Sequence, residues 1–183
     1  MHLKFFSALL LAMAAISTHA QEQHDSEWVT TQWDNLLAVA EQGMGEPQSI
    51  GSYSLRIYRN NRDAFVSGLV GTRNGSIAGL WLDDLNDDDK PEISVWISNA
   101  GSGGYGELHI YTLEKASLNQ ILLPEPNFKL ITGYRGHDSF SLENSHIYRT
   151  FPRYRANDSM AEPTGGTIRL KLDFNNRRWV GAD

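Results

Sequence analysis

Apolar residues recur at every second position over much of the chain. In "SYSLRIY" Tyr53, Leu55 and Ile57 share one face. In "EISVWIS" Ile93, Val95 and Ile97 share a face and Trp96 takes the other. "ELHIYTL" sets Leu108 and Ile110 against Tyr111 and Leu113, and "TIRLKLDF" sets Ile168, Leu170, Leu172 and Phe174 against Arg169, Lys171 and Asp173. A period of two is the repeat of a half-buried antiparallel strand. Turn-forming clusters separate the runs: "RNGS" at 73–76, "DDDKP" at 87–91, "GSGGYG" at 101–106 and "PTGG" at 163–166. Short strands with frequent turns predict an all-β fold, an antiparallel β-sandwich or a barrel-like single domain. One stretch reads two ways. "WDNLLAVAEQ", residues 33–42, has helical propensities but is stopped early by Gly43 and Gly45, so helix and strand both stand.

The N-terminus follows a different pattern. Lys4 precedes the apolar run "FFSALLLAMAAI", and "STHA" places Thr18 and Ala20 at the spacing a signal peptidase reads. Residues 1–20 are expected to be a secretory signal peptide, leaving residues 21–183 as one β-rich domain with polar residues 21–27 frayed. The chain has no cysteine, which excludes a bacterial lipid anchor at the cleavage site and favours the periplasm over the open exterior. The full sequence carries a formal charge of −6, and cleavage removes one lysine and no acid. An acidic protein of this kind is not expected to bind nucleic acid or an anionic membrane. The five tryptophans are expected in the core or at a dimer face, because Trp81, Trp96 and Trp179 lie in apolar strand patterns.

The candidate chemistry lies first in "GSGGYG", which fits G-x-G-x-x-G. A dinucleotide site requires a strand before the glycines and a helix after them, and here "ELHIYTL" reads as a strand. No lysine follows as in a P-loop. A nucleophile elbow at Ser102 would require glycine at position 100, where the chain has Ala100, and a following helix. His109, His137 and His146 are the available bases for a secreted serine hydrolase, and none has an obvious sequence partner. Two readings remain. One is a hairpin loop whose glycines supply positive φ. The other is a recognition loop in which Gly101, Gly103 and Gly104 present Ser102 and Tyr105 to a polar pocket.

The second candidate is "DDLNDDDKPEI". Asp84, Asn86 and Asp88 alternate, with Glu92 four residues on, as the oxygen ligands of a calcium loop do. Asp89 stands where such loops place glycine. The simpler reading is an acidic turn that caps its own backbone, with no cofactor. A calcium-dependent wall or polysaccharide-binding module is the alternative function attached to this turn. Two further polar stretches, "GYRGHDSF" with Tyr134, Arg135, His137 and Asp138, and "RTFPRYR" at 149–155, read as surface connections. The first could join a binding face.

"SIGSYSLRIY", the acidic turn with "PEISVWI", "AGSGGY" and "FPRYRANDSMAEPTGG" together resemble the periplasmic inhibitors of invertebrate-type (i-type) lysozyme, over about residues 36–174. The most specific element is S-G-x-Y, here Ser102-Gly103-Gly104-Tyr105, a motif also found in unrelated inhibitors of chicken-type lysozyme. The resemblance implies a β-sandwich-like, periplasmic, non-enzymatic protein, often a homodimer, whose S-G-x-Y loop enters the lysozyme cleft. It implies Ser102, Tyr105 and the flanking glycines as partner contacts and does not imply a metal; Tyr134, Arg135 and His137 are the secondary contacts that the glycine-rich "GYRGHDSF" loop itself suggests. Most lysozymes are basic, so the acidic surface would favour encounter.

Overall fold

A computed structural model describes residues 28–60 and 62–182. The expected signal peptide, residues 1–20, and residues 21–27 lie outside the described residues. Twelve strands follow one another, and among the described residues there is no helix. They form three antiparallel sheets of four. The first contains β1 (Trp28–Trp33), β2 (Leu36–Gln42), β3 (Gly51–Arg59) and β4 (Ala64–Arg73). The second contains β5 (Ser76–Asp83), β6 (Glu92–Ser98), β7 (Gly106–Glu114) and β8 (Ser117–Ile121). The third contains β9 (Ser139–Glu143), β10 (His146–Pro152), β11 (Thr167–Asp173) and β12 (Arg178–Gly181). Each sheet pairs only sequence neighbours, and none closes into a barrel.

Residues 33–42 are extended, and the helical option is wrong. Trp33 pairs with Leu36 across a two-residue turn at Asp34 and Asn35. Asp34 sits at φ 49°, a conformation that aspartate tolerates better than most side chains. Ala38 and Ala40 pack inward against Leu55 and Ile57, so tertiary burial overrides alanine's preference for helix.

The second sheet forms the middle layer. One of its faces, with Ile93, Val95, Ile97 and Tyr111, shares a core with Tyr53, Leu55 and Ile57 of the first sheet. Its opposite face, with Trp81, Trp96, Leu108 and Ile110, shares a second core with Ile147, Phe151, Leu170 and Leu172 of the third. The alternation read from β3, β6, β7 and β11 is therefore obeyed residue by residue. Trp81 and Trp96 stack with ring centroids 6.3 Å apart and an interplanar angle of 13°. Trp179 is buried as expected, whereas Trp28 is more than half exposed.

Two of the polar expectations change. "RTFPRYR" is not a surface connection throughout: Arg149 and Phe151 lie in β10 and are buried, and Tyr154 is buried beyond it. His109 has partners, contrary to the sequence reading. Its Nδ1 lies 2.9 Å from the Tyr53 hydroxyl, which in turn lies 2.6 Å from the Tyr111 hydroxyl. Burial lowers the His109 pKa, opposed by Glu107 3.5 Å from Nε2.

Candidate functional site

The glycine loop joins β6 to β7 on the middle sheet, so a strand stands on each side of it and the helix of a phosphate cradle is absent. Its neck is closed by Asn99 N donating to Tyr105 O at 2.9 Å. Inside the neck, Gly104 N donates to Gly101 O at 2.9 Å and Gly101 N to the Asn99 side-chain oxygen at 2.6 Å. Gly104 has φ +51°, the left-handed region that favours glycine. Gly103 does not lie there; its place matters for another reason. A Cβ on Gly103 would come within 2.4 Å of the Tyr105 ring, so only glycine lets that ring lie back over the turn.

Ser102 is exposed and Tyr105 is 49% exposed. Among the described residues the Ser102 hydroxyl makes no hydrogen bond, to a histidine or to any other group. A serine nucleophile needs a base within hydrogen-bond reach, and none is placed here. Two exposed side chains bearing hydroxyls on a short, internally bonded loop are suited to recognition.

The segment 133–138 lies directly against this loop. His137 N donates to Gly103 O at 2.6 Å and Asp138 N to Gly104 O at 3.0 Å. The Tyr105 and Tyr134 rings meet edge to face, centroids 5.8 Å apart. Arg135 is turned away, its guanidinium donating to Asp158 O at 2.9 Å and lying over the Tyr154 ring. Of the three secondary candidates, Tyr134 and His137 thus adjoin the loop, while Arg135 braces the segment from behind.

The sequence reading missed what holds this corner together. Asp138 Oδ2 accepts from Gly106 N at 2.9 Å and from the Tyr134 hydroxyl. Its Oδ1 accepts from Arg149 Nε at 2.7 Å, and another Arg149 nitrogen donates to the Tyr134 hydroxyl at 2.7 Å. The Asp138 side chain is fully buried. Burial raises the Tyr134 pKa, and its bond to the Asp138 carboxylate raises it further. Burial acts to lower the Arg149 pKa, but the Asp138 contact outweighs it and the net shift is upward. A signal for this network existed: in "HIYRTFP" Arg149 falls at the same alternation as Ile147 and Phe151, so a charge points into the core and must find a partner there.

The acidic turn lies between β5 and β6. Asp84 Oδ1 accepts from Asn86 N at 3.2 Å and Asp88 N at 3.1 Å, and Oδ2 from Asp89 N at 2.7 Å. Partial burial acts to raise the Asp84 pKa, but these amides prevail and lower it. Asp89 takes φ 61° at the position where a calcium loop has glycine. Glu92 Oε2 accepts from Leu85 N at 3.0 Å and Oε1 from Asn86 Nδ2 at 3.2 Å, leaving the buried Asn86 Oδ1 without a partner among the described residues. No group of three or more His, Cys, Asp or Glu among the described residues is arranged to hold a metal ion. Calcium at millimolar concentration is accordingly expected to leave the melting temperature unchanged. A native-state ligand at a hundredfold excess over its dissociation constant would add about 2.7 kcal/mol, so a rise of several degrees that Asp88→Ala abolishes would assign the turn to calcium.

Glu92 itself predicts a pH dependence. Burial, with repulsion from Asp88 and Asp84, pushes its pKa up to about 7 from the usual 4.5. Between those values folded Glu92 holds a proton that the unfolded chain has released, so its contribution to stability falls as pH rises from 4.5 to 7, opposed by His109, whose lowered pKa adds stability as pH rises toward 6.5. The shift corresponds to about 3 kcal/mol at most. Glu92→Gln should remove the falling contribution and unfold at higher urea than the parent above pH 7, because Asn86 Oδ1 can then accept from the new amide. Urea titrations in EDTA across this range check it, and equal midpoints for the two proteins at high pH would refute it.

Residues 27–126 match the family described as periplasmic lysozyme inhibitor of I-type lysozyme. Among solved structures, the chain is similar to the Aeromonas hydrophila inhibitor in complex with Meretrix lusoria lysozyme, with 36% identity over 52% of this chain and 81% of that one, at a TM-score of 0.47. It is also similar to that inhibitor solved by itself, with 32% identity over 55% of this chain and 94% of that one, at a TM-score of 0.45. No curated protein matches. The matched residues span the first two sheets and include the glycine loop and the acidic turn. The third sheet lies beyond residue 126, as does "FPRYRANDSMAEPTGG", so the sequence resemblance to residue 174 extends past the match. The match covers more than half of the chain, which belongs to the family of periplasmic lysozyme inhibitors of I-type lysozyme.

Proposed function

We propose that this chain inhibits an i-type lysozyme in the periplasm, by inserting the loop carrying Ser102 and Tyr105 into the enzyme's cleft. The observation that carries the reading is the pairing of two exposed hydroxyl-bearing side chains with a fixed base: Ser102 and Tyr105 are open to a partner, while the neck and the glycine carbonyls behind them are hydrogen-bonded. Lysozymes act through two carboxylates, one protonated as the acid. The Ser102 hydroxyl donates to one of them and the Tyr105 hydroxyl to the other or to a polar neighbour. Hydrogen bonds to a charged group are stronger than neutral ones. Occupying the cleft excludes the polysaccharide, and no covalent step is required. The family membership and the relative solved with Meretrix lusoria lysozyme support the partner class. Residues 1–20 serve export in this reading, and the remaining chain acts without a cofactor.

The test is lysis of a suspended cell-wall substrate by an i-type lysozyme, titrated with the purified protein with and without EDTA. Dose-dependent inhibition that ignores EDTA is expected. Undiminished lysis at excess protein would reject the function, and activity lost only in EDTA would favour a calcium-dependent wall-binding module.

A further inference from the structure

We propose that the segment leading into the third sheet, residues 133–138, sets the shape of the recognition loop, with Asp138 as its positioning residue; this rests on the loop reading above and deepens it. The loop belongs to the middle sheet and to the matched family region, but several of the bonds that fix it come from residues beyond that region. Asp138 holds Gly106 N, the first residue of β7, at 2.9 Å. The amides of His137 and Asp138 hold the carbonyls of Gly103 and Gly104 at 2.6 and 3.0 Å. Both carbonyls lie between Ser102 and Tyr105, so their direction decides where the two hydroxyls point. Asp138 cannot drift: its side chain is fully buried and Arg149, anchored in β10, holds its other oxygen at 2.7 Å.

The approach of the two segments leaves no slack. A Cβ on Gly136 would stand 1.9 Å from Gly103 O, and Gly136 has φ +97°. A loop already held in its bound shape loses less freedom on binding. Holding the loop in that shape is the contribution of this segment, anchored by Arg149 of the third sheet.

The experiment measures affinity for an i-type lysozyme and amide hydrogen exchange for Asp138→Asn, Gly136→Ala and Tyr105→Ala, and for Asp138→Asn combined with Tyr105→Ala. Asp138→Asn removes the charge and leaves either Gly106 N or Arg149 facing a donor. Gly136→Ala spares the ion pair and pushes the segments apart, so it carries the test if Asp138→Asn does not fold. Each is expected to lose about tenfold in affinity. The Gly106 and Asp138 amides should exchange faster while those of β6 stay protected. In the Tyr105→Ala background the effect of Asp138→Asn should shrink to about twofold, because both changes act through one loop. Wild-type affinity in Asp138→Asn and Gly136→Ala, with Tyr105→Ala weakened, would overturn the inference and leave the loop reading standing. Equal losses in both backgrounds would also overturn it, since they would mark a general loss of structure. Wild-type binding by Tyr105→Ala would remove the loop reading and this inference together.

Discussion

Tyr105→Ala is expected to weaken inhibition of an i-type lysozyme by at least about thirtyfold, or about 2 kcal/mol, the loss typical of a buried aromatic anchor at an interface. The ring is 49% exposed in the free protein, so its outer half is available to a cleft. Its inner edge rests on Tyr134, 5.8 Å between centroids, which spares it much of the ordering cost that a free side chain would meet. Ser102→Ala should lose roughly 1.5–3 kcal/mol if its hydroxyl faces a carboxylate. Gly103→Val should also weaken binding, through displacement of the Tyr105 ring that a Cβ at this position would strike. Both Ser102→Ala and Tyr105→Ala remove exposed groups and should melt close to the parent. Titration of lysozyme activity beside a thermal melt checks this. Full inhibition by folded Tyr105→Ala and Ser102→Ala would reduce the loop to a turn.

Phe151→Ala is expected to destabilise the fold by about 3–5 kcal/mol, the usual loss for a large aromatic removed from a core. Phe151 is 1% exposed and meets the Tyr134 ring edge to face, with centroids 4.7 Å apart. The Arg149 guanidinium lies over it at 5.6 Å. Its loss opens a void between the second core and the Asp138 corner, where the surroundings are held by an ion pair and collapse poorly. For a domain of this size each kcal/mol moves the melting temperature by about 2–4 °C, so a fall of roughly 6–20 °C is expected. Phe128→Ala removes a ring that is 79% exposed and should change stability by less than about 0.5 kcal/mol. Denaturant unfolding of the pair checks the contrast. A loss under about 1 kcal/mol for Phe151→Ala would mean that the second core is not packed as described.

Strands with one wet face were the easily read part of this sequence. In β3 and β11 polar residues alternate with buried ones, and the pattern alone located Tyr53, Leu55, Ile57, Ile168, Leu170 and Leu172. The first hairpin was ambiguous because β2 is rich in alanine and leucine, good helix formers, and its strand state is set by pairing with β1 and β3 on both sides. The stacking of three layers was harder to see. Trp96 pointing away from Ile93, Val95 and Ile97 signalled a second buried face, but nothing local says which later strands cover it. The loop's exposed side chains were legible from composition. Its bracing was not, because hydrogen bonds from residues 137 and 138 to carbonyls of residues 103 and 104 leave no mark on side-chain identity. The positive φ was legible as a demand for glycine somewhere in the loop; placing it at Gly104 and not Gly103 required the backbone.

Every sheet here is an uninterrupted meander, with pairing only between consecutive strands. This bears on how the chain reaches its native state. Entropy lost in closing a loop grows with the separation of the residues joined, and folding rates fall as that separation rises. The ladders therefore belong to the inexpensive part of the search, since each hairpin can zip from its own turn. The contacts of widest separation, such as Tyr53 with Tyr111, are those that dock one completed meander on the next. Because the middle meander is apolar on both faces, it is the species most exposed to wrong partners until the two outer ones have covered it.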